Sequence, residues 1–285
     1  MIRNKPVIGI LPTYNLTNEE NDPYQDRASF VLMYEKKILE CGGIPIGLLN
    51  QNIEEYLPLC DGYLWPGGNK IWPEFYKVIE EAIANHKPLL GICLGMQAIT
   101  TFFNVLEDKT TAEGKTFREV YEEGKKNNPY LTKVENIALH NHYVTKNEET
   151  IQAAKHLVQI KPNTLLASLY KEKELSVVSL HSIGVARVSK TLTVSATTKD
   201  HLPEAVEYTK DGGQILGVQF HPELESTSEL FSWLVDACYH KTMILVNKQK
   251  PIPEGYHPNI FLYQSEYPEC KNDGNIAEMA MYSWL

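Results

Sequence analysis

One stretch, PLLGICLGMQ at residues 88–97, limits the folds open to this chain more than any other. It begins with a short apolar run typical of a buried parallel strand, and the residues after it have the apolar spacing of a helix. Between them, Gly91-x-Cys93-x-Gly95 has the spacing of a nucleophile elbow, a sharp strand-to-helix turn with the nucleophile at its tip. The pattern predicts an α/β fold in which the thiol of Cys93 faces a helix N-terminus, where partial positive charge favours the thiolate.

A second motif, GVQFHPE at residues 217–223, offers the partners that a cysteine nucleophile needs. A strand-like run ends in His-Pro-Glu, and the proline restricts the backbone between the two polar side chains. A cysteine nucleophile requires a histidine base, and the histidine requires an orienting acceptor. We therefore predict a catalytic triad of Cys93, His221 and Glu223. For an isolated Gly-x-Cys-x-Gly motif the alternative is a buried structural cysteine.

The two motifs, in this order, resemble those of class I glutamine amidotransferase-like proteins. Three earlier segments, PVIGI at 6–10, GGIP at 42–45 and DGYLWPGG at 61–68, are similar to the γ-glutamyl-γ-aminobutyrate hydrolase group, peptidase family C26. The resemblance covers about residues 5–100 and 140–235. It implies a flavodoxin-like sheet, parallel or mixed, that is flanked by helices and carries the nucleophile elbow.

The same resemblance implies an oxyanion hole in the loop after residue 65. The N–H of Gly67 or Gly68, together with that of Leu94, would hold the oxyanion formed during acyl transfer. Glycine suits this role because its backbone can approach a ligand closely. The alternative is an ordinary turn, since Pro-Gly is a common turn signal.

Two further residues are candidates for substrate binding on the same grounds. Gln97 lies one helical turn past Cys93 and would help bind the glutamyl moiety; the alternative is a buried capping glutamine. His181 matches a histidine-bearing segment on the substrate side of the hydrolase group and would line the cleft; the alternative is a surface strand histidine. The group's usual second histidine is Ser182 in this chain.

The remaining pattern predicts alternating strands and helices around one sheet. The predicted strands cover residues 7–11, 44–49, 62–65, 89–92, 136–144, 156–160, 175–180, 191–197, 204–209 and 215–220. The predicted helices cover residues 26–39, 53–59, 73–86, 96–103, 164–170 and 226–239. Asp211-Gly212-Gly213 predicts a hairpin turn between the last two strands.

We predict one catalytic domain over residues 1–240. Residues 105–135 are rich in lysine and glutamate and form an insertion, either a lid beside the site or a solvated surface excursion. Residues 241–285 contain four prolines and several aromatic residues. This composition predicts an extension packed on the domain or on a partner rather than a disordered tail.

Composition excludes several function classes. The 285 residues carry a formal net charge of −9, which argues against nucleic-acid binding. The five cysteines form no C-x-x-C pair, and the pair His140 and His142 has no third ligand nearby in the sequence, so we expect no metal and no organic cofactor. The apolar run near the N-terminus is too short for a signal peptide, and no stretch reaches membrane-spanning length. We expect a cytoplasmic location.

The resemblance implies a cysteine-dependent hydrolase of γ-glutamyl amides that acts through a γ-glutamyl thioester on Cys93. The expected substrate is a small molecule, and a homodimer is one assembly open to the chain. A glutaminase subunit that delivers ammonia to a separate synthase is the first alternative. Leu94 and Met96 favour it, because the segment GICLGMQ is commoner among such glutaminases. The hydrolase group usually has arginine where Leu94 stands. A non-enzymatic regulatory member of the fold is the second alternative.

Overall fold

The computed structural model describes residues 5–13, 29–49, 52–68, 73–108, 120, 128–134 and 154–249, and of 240–249 it describes the backbone alone. The strands in the described ranges are β1 Val7–Ile10, β2 Ile44–Gly47, β3 Gly62–Trp65, β4 Leu89–Ile92, β5 Leu131–Lys133, β6 Lys155–Ile160, β7 Glu174–Val178, β8 Ile183–Val185, β9 Thr193–Thr197, β10 Pro203–Tyr208 and β11 Ile215–Val218. The helices are α1 Leu32–Glu40, α2 Ile53–Tyr56, α3 Tyr76–Ala84, α4 Leu94–Asp108, α5 Leu165–Leu169 and α6 Glu229–Gln249.

A mixed sheet of nine strands has the order β2-β1-β3-β4-β11-β10-β9-β6-β7. The strands from β2 to β11 run parallel to one another, and the rest pair antiparallel. The central strands β3, β4 and β11 are fully buried, as expected for parallel strands covered on both faces. Strands β5 and β8 form a separate antiparallel pair.

Helices cover both faces of this sheet and divide the core into two parts. On one face, residues of α3 and α4, such as Ile79 and Met96, pack against strand residues that include Leu89 and Ile215. On the other face, residues of α1 and α6 pack against Leu90 and neighbouring strand residues. The predicted α/β architecture, a mixed sheet that is flanked by helices and carries the elbow between β4 and α4, is therefore confirmed.

Several local predictions are also confirmed. Strands β3 and β4 have the predicted bounds, because each is a continuous apolar segment closed by a turn signal. The hairpin between β10 and β11 contains Asp211 at φ 52° and Gly212 at φ 79°. Successive positive φ values are what the Asp-Gly pair is suited to.

The helix predicted over 26–39 is wrong at its start, since α1 begins only at Leu32. Ser29 instead accepts a backbone hydrogen bond from Thr13 at 2.6 Å, and this bridge keeps the chain extended. Phe30, which falls within the predicted helix, lies before the start of α1 and packs its ring over Gly47. A contact between distant residues thus overrides the local helical pattern.

Other helix bounds also differ from prediction. The elbow helix α4 runs over Leu94–Asp108 rather than 96–103, so residues 105–108 continue that helix. The last helix, α6, begins at Glu229 and ends at Gln249, so it crosses the predicted domain boundary at 240. The strand predicted over 136–144 lies outside the described residues, together with its two histidines. Most of the predicted insertion, 105–135, and all of 250–285 also lie outside them. In the part that is described, no helix combines the length and apolarity needed to cross a membrane.

Candidate active site

Cys93 sits between β4 and α4, at the tip of a strained turn. Its φ is 51°, a left-handed value that is uncommon for a residue with a side chain. Its N–H donates to the carbonyl of Val218 at 2.7 Å, and its own carbonyl accepts the N–H of Gln97 at 3.1 Å. The backbone N–H of Cys93 is thus held by β11, and its carbonyl is held by α4. Cys93 directly precedes α4, whose first N–H groups lack acceptors within the helix.

The two glycines of the motif make this turn possible. A Cβ on Gly95 would lie 2.2 Å from the carbonyl oxygen of Trp65, the last residue of β3. A Cβ on Gly91 would lie 2.5 Å from a methyl carbon of Ile99 and 2.8 Å from the carbonyl carbon of Gly95. Both distances are shorter than real side-chain contacts, so the helix can approach the sheet only with glycine at these positions.

His221 follows β11, the parallel neighbour of β4, so the segments after these two strands leave the sheet at the same end. Its Nδ1 lies 2.7 Å from Oε1 of Glu223, and its backbone N–H donates to the carbonyl of Val178 at 2.9 Å. Because an ionised carboxylate only accepts hydrogen bonds, Nδ1 carries a proton. The other ring nitrogen, Nε2, is therefore the one free to exchange a proton in chemistry.

The charges around His221 favour its protonated form. Burial by itself lowers the pKa of His221, but the carboxylate of Glu223 and the sulfur of Cys93 outweigh it and raise the pKa well above its ordinary value. Nε2 makes no aligned hydrogen bond with any atom of the described residues. Cys93 therefore acts on His221 through its charge and through a side-chain contact that is not an aligned hydrogen bond, a looser arrangement that is common in unliganded active sites.

Tyr34 on α1 joins the two halves of the site, and the sequence patterns did not reveal it. Its hydroxyl donates to Oε1 of Glu223 at 2.8 Å and accepts the N–H of Gly67 at 3.2 Å. Burial and the carboxylate of Glu223 raise the pKa of Tyr34, so the hydroxyl stays a donor. No local motif could have signalled a contact between residues 189 positions apart.

The predicted oxyanion residues lie around the same turn. A Cβ on Gly67 would be 3.0 Å from the imidazole of His221, and one on Gly68 would be 3.3 Å from the side chain of Leu94. Gly67 therefore lies against the histidine and Cys93, and Gly68 lies against Leu94, the first residue of α4. The N–H of Gly67 is already bonded to the hydroxyl of Tyr34.

Gln97, predicted to bind substrate, is buried beneath the elbow. Its Nε2 donates to the carbonyl of Ile183 at 2.8 Å and to Oε1 of Gln219 at 3.3 Å. Its Oε1 is buried and has no donor partner among the described residues. The side-chain amide is therefore held by the two hydrogen bonds that its Nε2 donates.

His181, predicted to line the cleft, lies in a buried cluster of polar side chains with His156 and Glu204. Its Nδ1 lies 3.2 Å from the carbonyl of Ile183, and its Nε2 lies 3.2 Å from Oε1 of Glu204. His156 approaches the other oxygen of Glu204 at 3.5 Å. The structure therefore brings Cys93, His221 and Glu223 together with the loop at Gly67 and Gly68, the predicted oxyanion loop. His181 contacts these residues only through Ile183 and Gln97.

A cysteine beside a histidine that is oriented by a carboxylate can carry out acyl transfer. The donors of a backbone loop next to the sulfur suit the stabilisation of a tetrahedral oxyanion. Within the described ranges, no group of three or more histidine, cysteine, aspartate or glutamate residues is arranged to hold a metal ion.

Comparison with known proteins agrees with this geometry. The model of the Peptidase C26 family matches residues 76–223, more than half of the chain, and this match contains the elbow and the His-Pro-Glu segment. The γ-glutamyl-γ-aminobutyrate hydrolase of Escherichia coli is 28% identical over 84% of this chain and 96% of its own length. A glutamine amidotransferase-like protein of Rickettsia prowazekii is 28% identical over 83% of this chain and 99% of its own.

Among solved structures, the glutaminase domain of Trypanosoma brucei CTP synthase, with bound acivicin, superposes with a TM-score of 0.57 at 18% identity. The superposition covers 82% of this chain and 94% of that domain, which supports the fold. The sequence match and the fold agree on a glutamine amidotransferase-like hydrolase, and the chain belongs to the Peptidase C26 family, in the γ-glutamyl-γ-aminobutyrate hydrolase group of the class I glutamine amidotransferase-like superfamily.

Proposed function

We propose that this chain hydrolyses γ-glutamyl amides through a γ-glutamyl thioester on Cys93. The observation that carries the proposal is the hydrogen bond between His221 and Glu223, which orients the imidazole at the edge where the strained turn presents the thiol. Residues 76–223, which contain all three side chains, match the Peptidase C26 family, and a relative of similar length is a γ-glutamyl-γ-aminobutyrate hydrolase.

In the first step, the sulfur of Cys93 attacks the δ-carbonyl carbon of the substrate and forms a C–S bond. The C–N bond of the amide breaks, and the departing amine takes a proton from Nε2 of His221. In the second step, neutral His221 accepts a proton from water, and the resulting hydroxide attacks the thioester carbon. The C–S bond breaks, which releases glutamate and restores the thiolate beside a protonated histidine.

Leu94 and one of the two loop glycines, Gly67 or Gly68, are the oxyanion donors that we assign to both steps. The N–H of Gly67 donates to the hydroxyl of Tyr34, so its use would require that hydrogen bond to break. The same hydrogen bond attaches the loop to α1 before substrate binds, and a donor held in place before the reaction contributes more than one that must reorganise during it.

A glutaminase that supplies ammonia to a separate synthase is the second candidate. Leu94 favours it, since this buried apolar side chain stands where the hydrolase group usually has arginine. Any cationic contact that an arginine would make with substrate is therefore missing at this position. The two candidates share the chemistry at Cys93 and differ in the amide that is cleaved.

The nucleophile can be tested with acivicin, the compound bound to the related glutaminase domain. We expect one equivalent to attach to Cys93, as located by peptide mass mapping, and Cys93→Ala to remain unlabelled. Cys41→Ala is the matched control, because this half-buried cysteine contacts Ser232 on α6 and should not affect labelling. Label on Cys41, or undiminished label on the Cys93→Ala protein, would refute the assignment.

A further inference from the structure

Glu225 lies two residues past Glu223 and holds the segment that carries the histidine. Its Oε1 accepts the N–H of Val178 at 2.9 Å, and its Oε2 pairs with Nζ of Lys155 at 2.7 Å. Its backbone carbonyl accepts a hydrogen bond from Nζ of Lys37 at 2.8 Å. Strands β6 and β7 and helix α1 thus all contact this one residue. The carboxylate is mostly buried and takes no part in the proposed reaction.

The arrangement attaches both ends of the catalytic segment to a single strand residue. The carbonyl of Val178 accepts the N–H of His221, and the N–H of Val178 donates to Glu225. Val178 is the last residue of the edge strand β7 and lies opposite Lys155 on β6. Lys155 also forms the ion pair with Glu225. Val178 therefore makes one hydrogen bond with His221 and one with Glu225, four residues later. These two bonds take the place of strand pairing on the outer side of the edge strand β7.

This attachment matters because the segment has little regular structure of its own. Only a three-residue 3-10 helix, Pro222–Leu224, connects His221 with Glu225. Such a short helix fixes side chains poorly, yet Oε1 of Glu223 must stay within hydrogen-bond distance of the imidazole. A displacement of about 1 Å at a catalytic group can lower a rate by up to roughly 10².

We propose that Glu225 is a positioning residue that holds His221 and Glu223 in register with Cys93 through the N–H of Val178. The inference rests on the proposed function, in which His221 transfers protons at the elbow. We assign the effect to the hydrogen bond with Val178, because Val178 also binds the backbone of His221, whereas the ion pair with Lys155 attaches Glu225 only to β6.

Three variants separate these two contacts. Glu225→Gln keeps the length and one acceptor oxygen but removes the charge. Glu225→Asp keeps the charge but shortens the side chain by one methylene, so it no longer reaches the N–H of Val178. Lys155→Met removes only the cation and leaves the acceptor in place. Each folded variant is first compared with the wild type by thermal denaturation.

The first measurement needs no substrate. Alkylation of Cys93 by iodoacetamide is followed by peptide mapping from about pH 5 to about pH 9, because the reactivity of the thiol depends on its pairing with the histidine. We expect Glu225→Asp to react about tenfold more slowly near neutral pH, with the rise of its profile moved to higher pH. Glu225→Gln and Lys155→Met should stay within about threefold of the wild type at every pH, because both keep an acceptor for the N–H of Val178.

The second measurement is steady-state hydrolysis of a γ-glutamyl amide, where Glu225→Asp should lower kcat by about tenfold and change KM by less than about twofold. Wild-type alkylation and turnover in Glu225→Asp, or a loss in Glu225→Gln equal to that in Glu225→Asp, overturns the proposal. If Glu225→Asp does not fold, a tenfold loss in Glu225→Gln still overturns it. Failure of the proposed function alone would abolish turnover in every protein and leave the alkylation differences intact.

Discussion

The hydroxyl of Tyr34 makes the two hydrogen bonds that connect the carboxylate of Glu223 with the loop at Gly67. Tyr34→Phe removes both while keeping the ring. A buried hydrogen bond to a charged group contributes roughly 1.5–3 kcal/mol, so we expect kcat to fall about tenfold. KM should change less, because the tyrosine contacts the groups that carry out the reaction. Steady-state kinetics and thermal denaturation measure the two effects.

Tyr63→Phe is the matched control for this prediction. Tyr63 is also fully buried, and its hydroxyl donates to the carbonyl of Leu57, away from the elbow. We expect a comparable loss of stability with kcat unchanged. Equal losses of kcat in the two variants would show that Tyr34 acts only through general stability.

The pH dependence of activity follows from the raised pKa of His221. Glu223 is the larger of the charges that raise it, so in Glu223→Gln the pKa of His221 should fall toward its ordinary value. If the thiolate with a protonated histidine is the active form, the alkaline decline of kcat/KM moves to lower pH in the variant. The wild type should also lose the corresponding stability as pH rises through the folded-state pKa, with the full contribution present below about pH 6.5. An alkaline decline at the same pH in both proteins would contradict this electrostatic role.

At the scale of elements, the contact between α4 and β3 allows no side chain at Gly95. Gly95→Ala would place a Cβ against the backbone of Trp65, which cannot move without displacing the strand. We expect a loss of about 3 kcal/mol in the free energy of unfolding, measured by urea denaturation. Gly68→Ala is the control, since its nearest Cβ contacts would be side-chain atoms at 3.3 Å, and it should cost much less stability.

The elements that could be predicted are those whose signals are local. The strand Leu89–Ile92 is a continuous apolar segment, and Gly91 and Gly95 mark the turn beside it. The start of α1 could not be predicted, because it depends on the bridge between Thr13 and Ser29. The strand Leu131–Lys133 has three residues, two of them polar, and its pairing with Ile183–Val185 makes it a strand.

In the candidate site, too, the residues with local sequence signals could be predicted and those held by distant contacts could not. Cys93, His221 and Glu223 follow from motifs in which each residue is close in sequence to the glycine or proline that positions it. Tyr34 and Glu225 could not be predicted, because their contacts join α1 and β7 to the end of β11. Their roles depend on how the whole sheet is assembled rather than on any short pattern.

For the molecule as a whole, the topology explains why one site forms. Strands β3, β4 and β11 are neighbours and parallel, so the oxyanion loop, the elbow and the His-Pro-Glu segment all follow the carboxyl ends of adjacent strands. A site at this edge of an open α/β sheet is the expected position. The net charge of −9 remains unfavourable for nucleic acid and places no restriction on a small substrate.

The most direct test of the account is the steady-state hydrolysis of γ-glutamyl amides by the purified chain alone. The substrates are γ-glutamyl-γ-aminobutyrate, other γ-glutamyl amines and free glutamine, with Cys93→Ala as the inactive control. We predict a higher kcat/KM for a γ-glutamyl amine than for glutamine, because the oxyanion loop is already bonded to Tyr34 without a partner protein. Negligible turnover of every γ-glutamyl amine, with glutaminase activity appearing only after a second protein is added, would contradict the account and assign the chain to an amidotransferase.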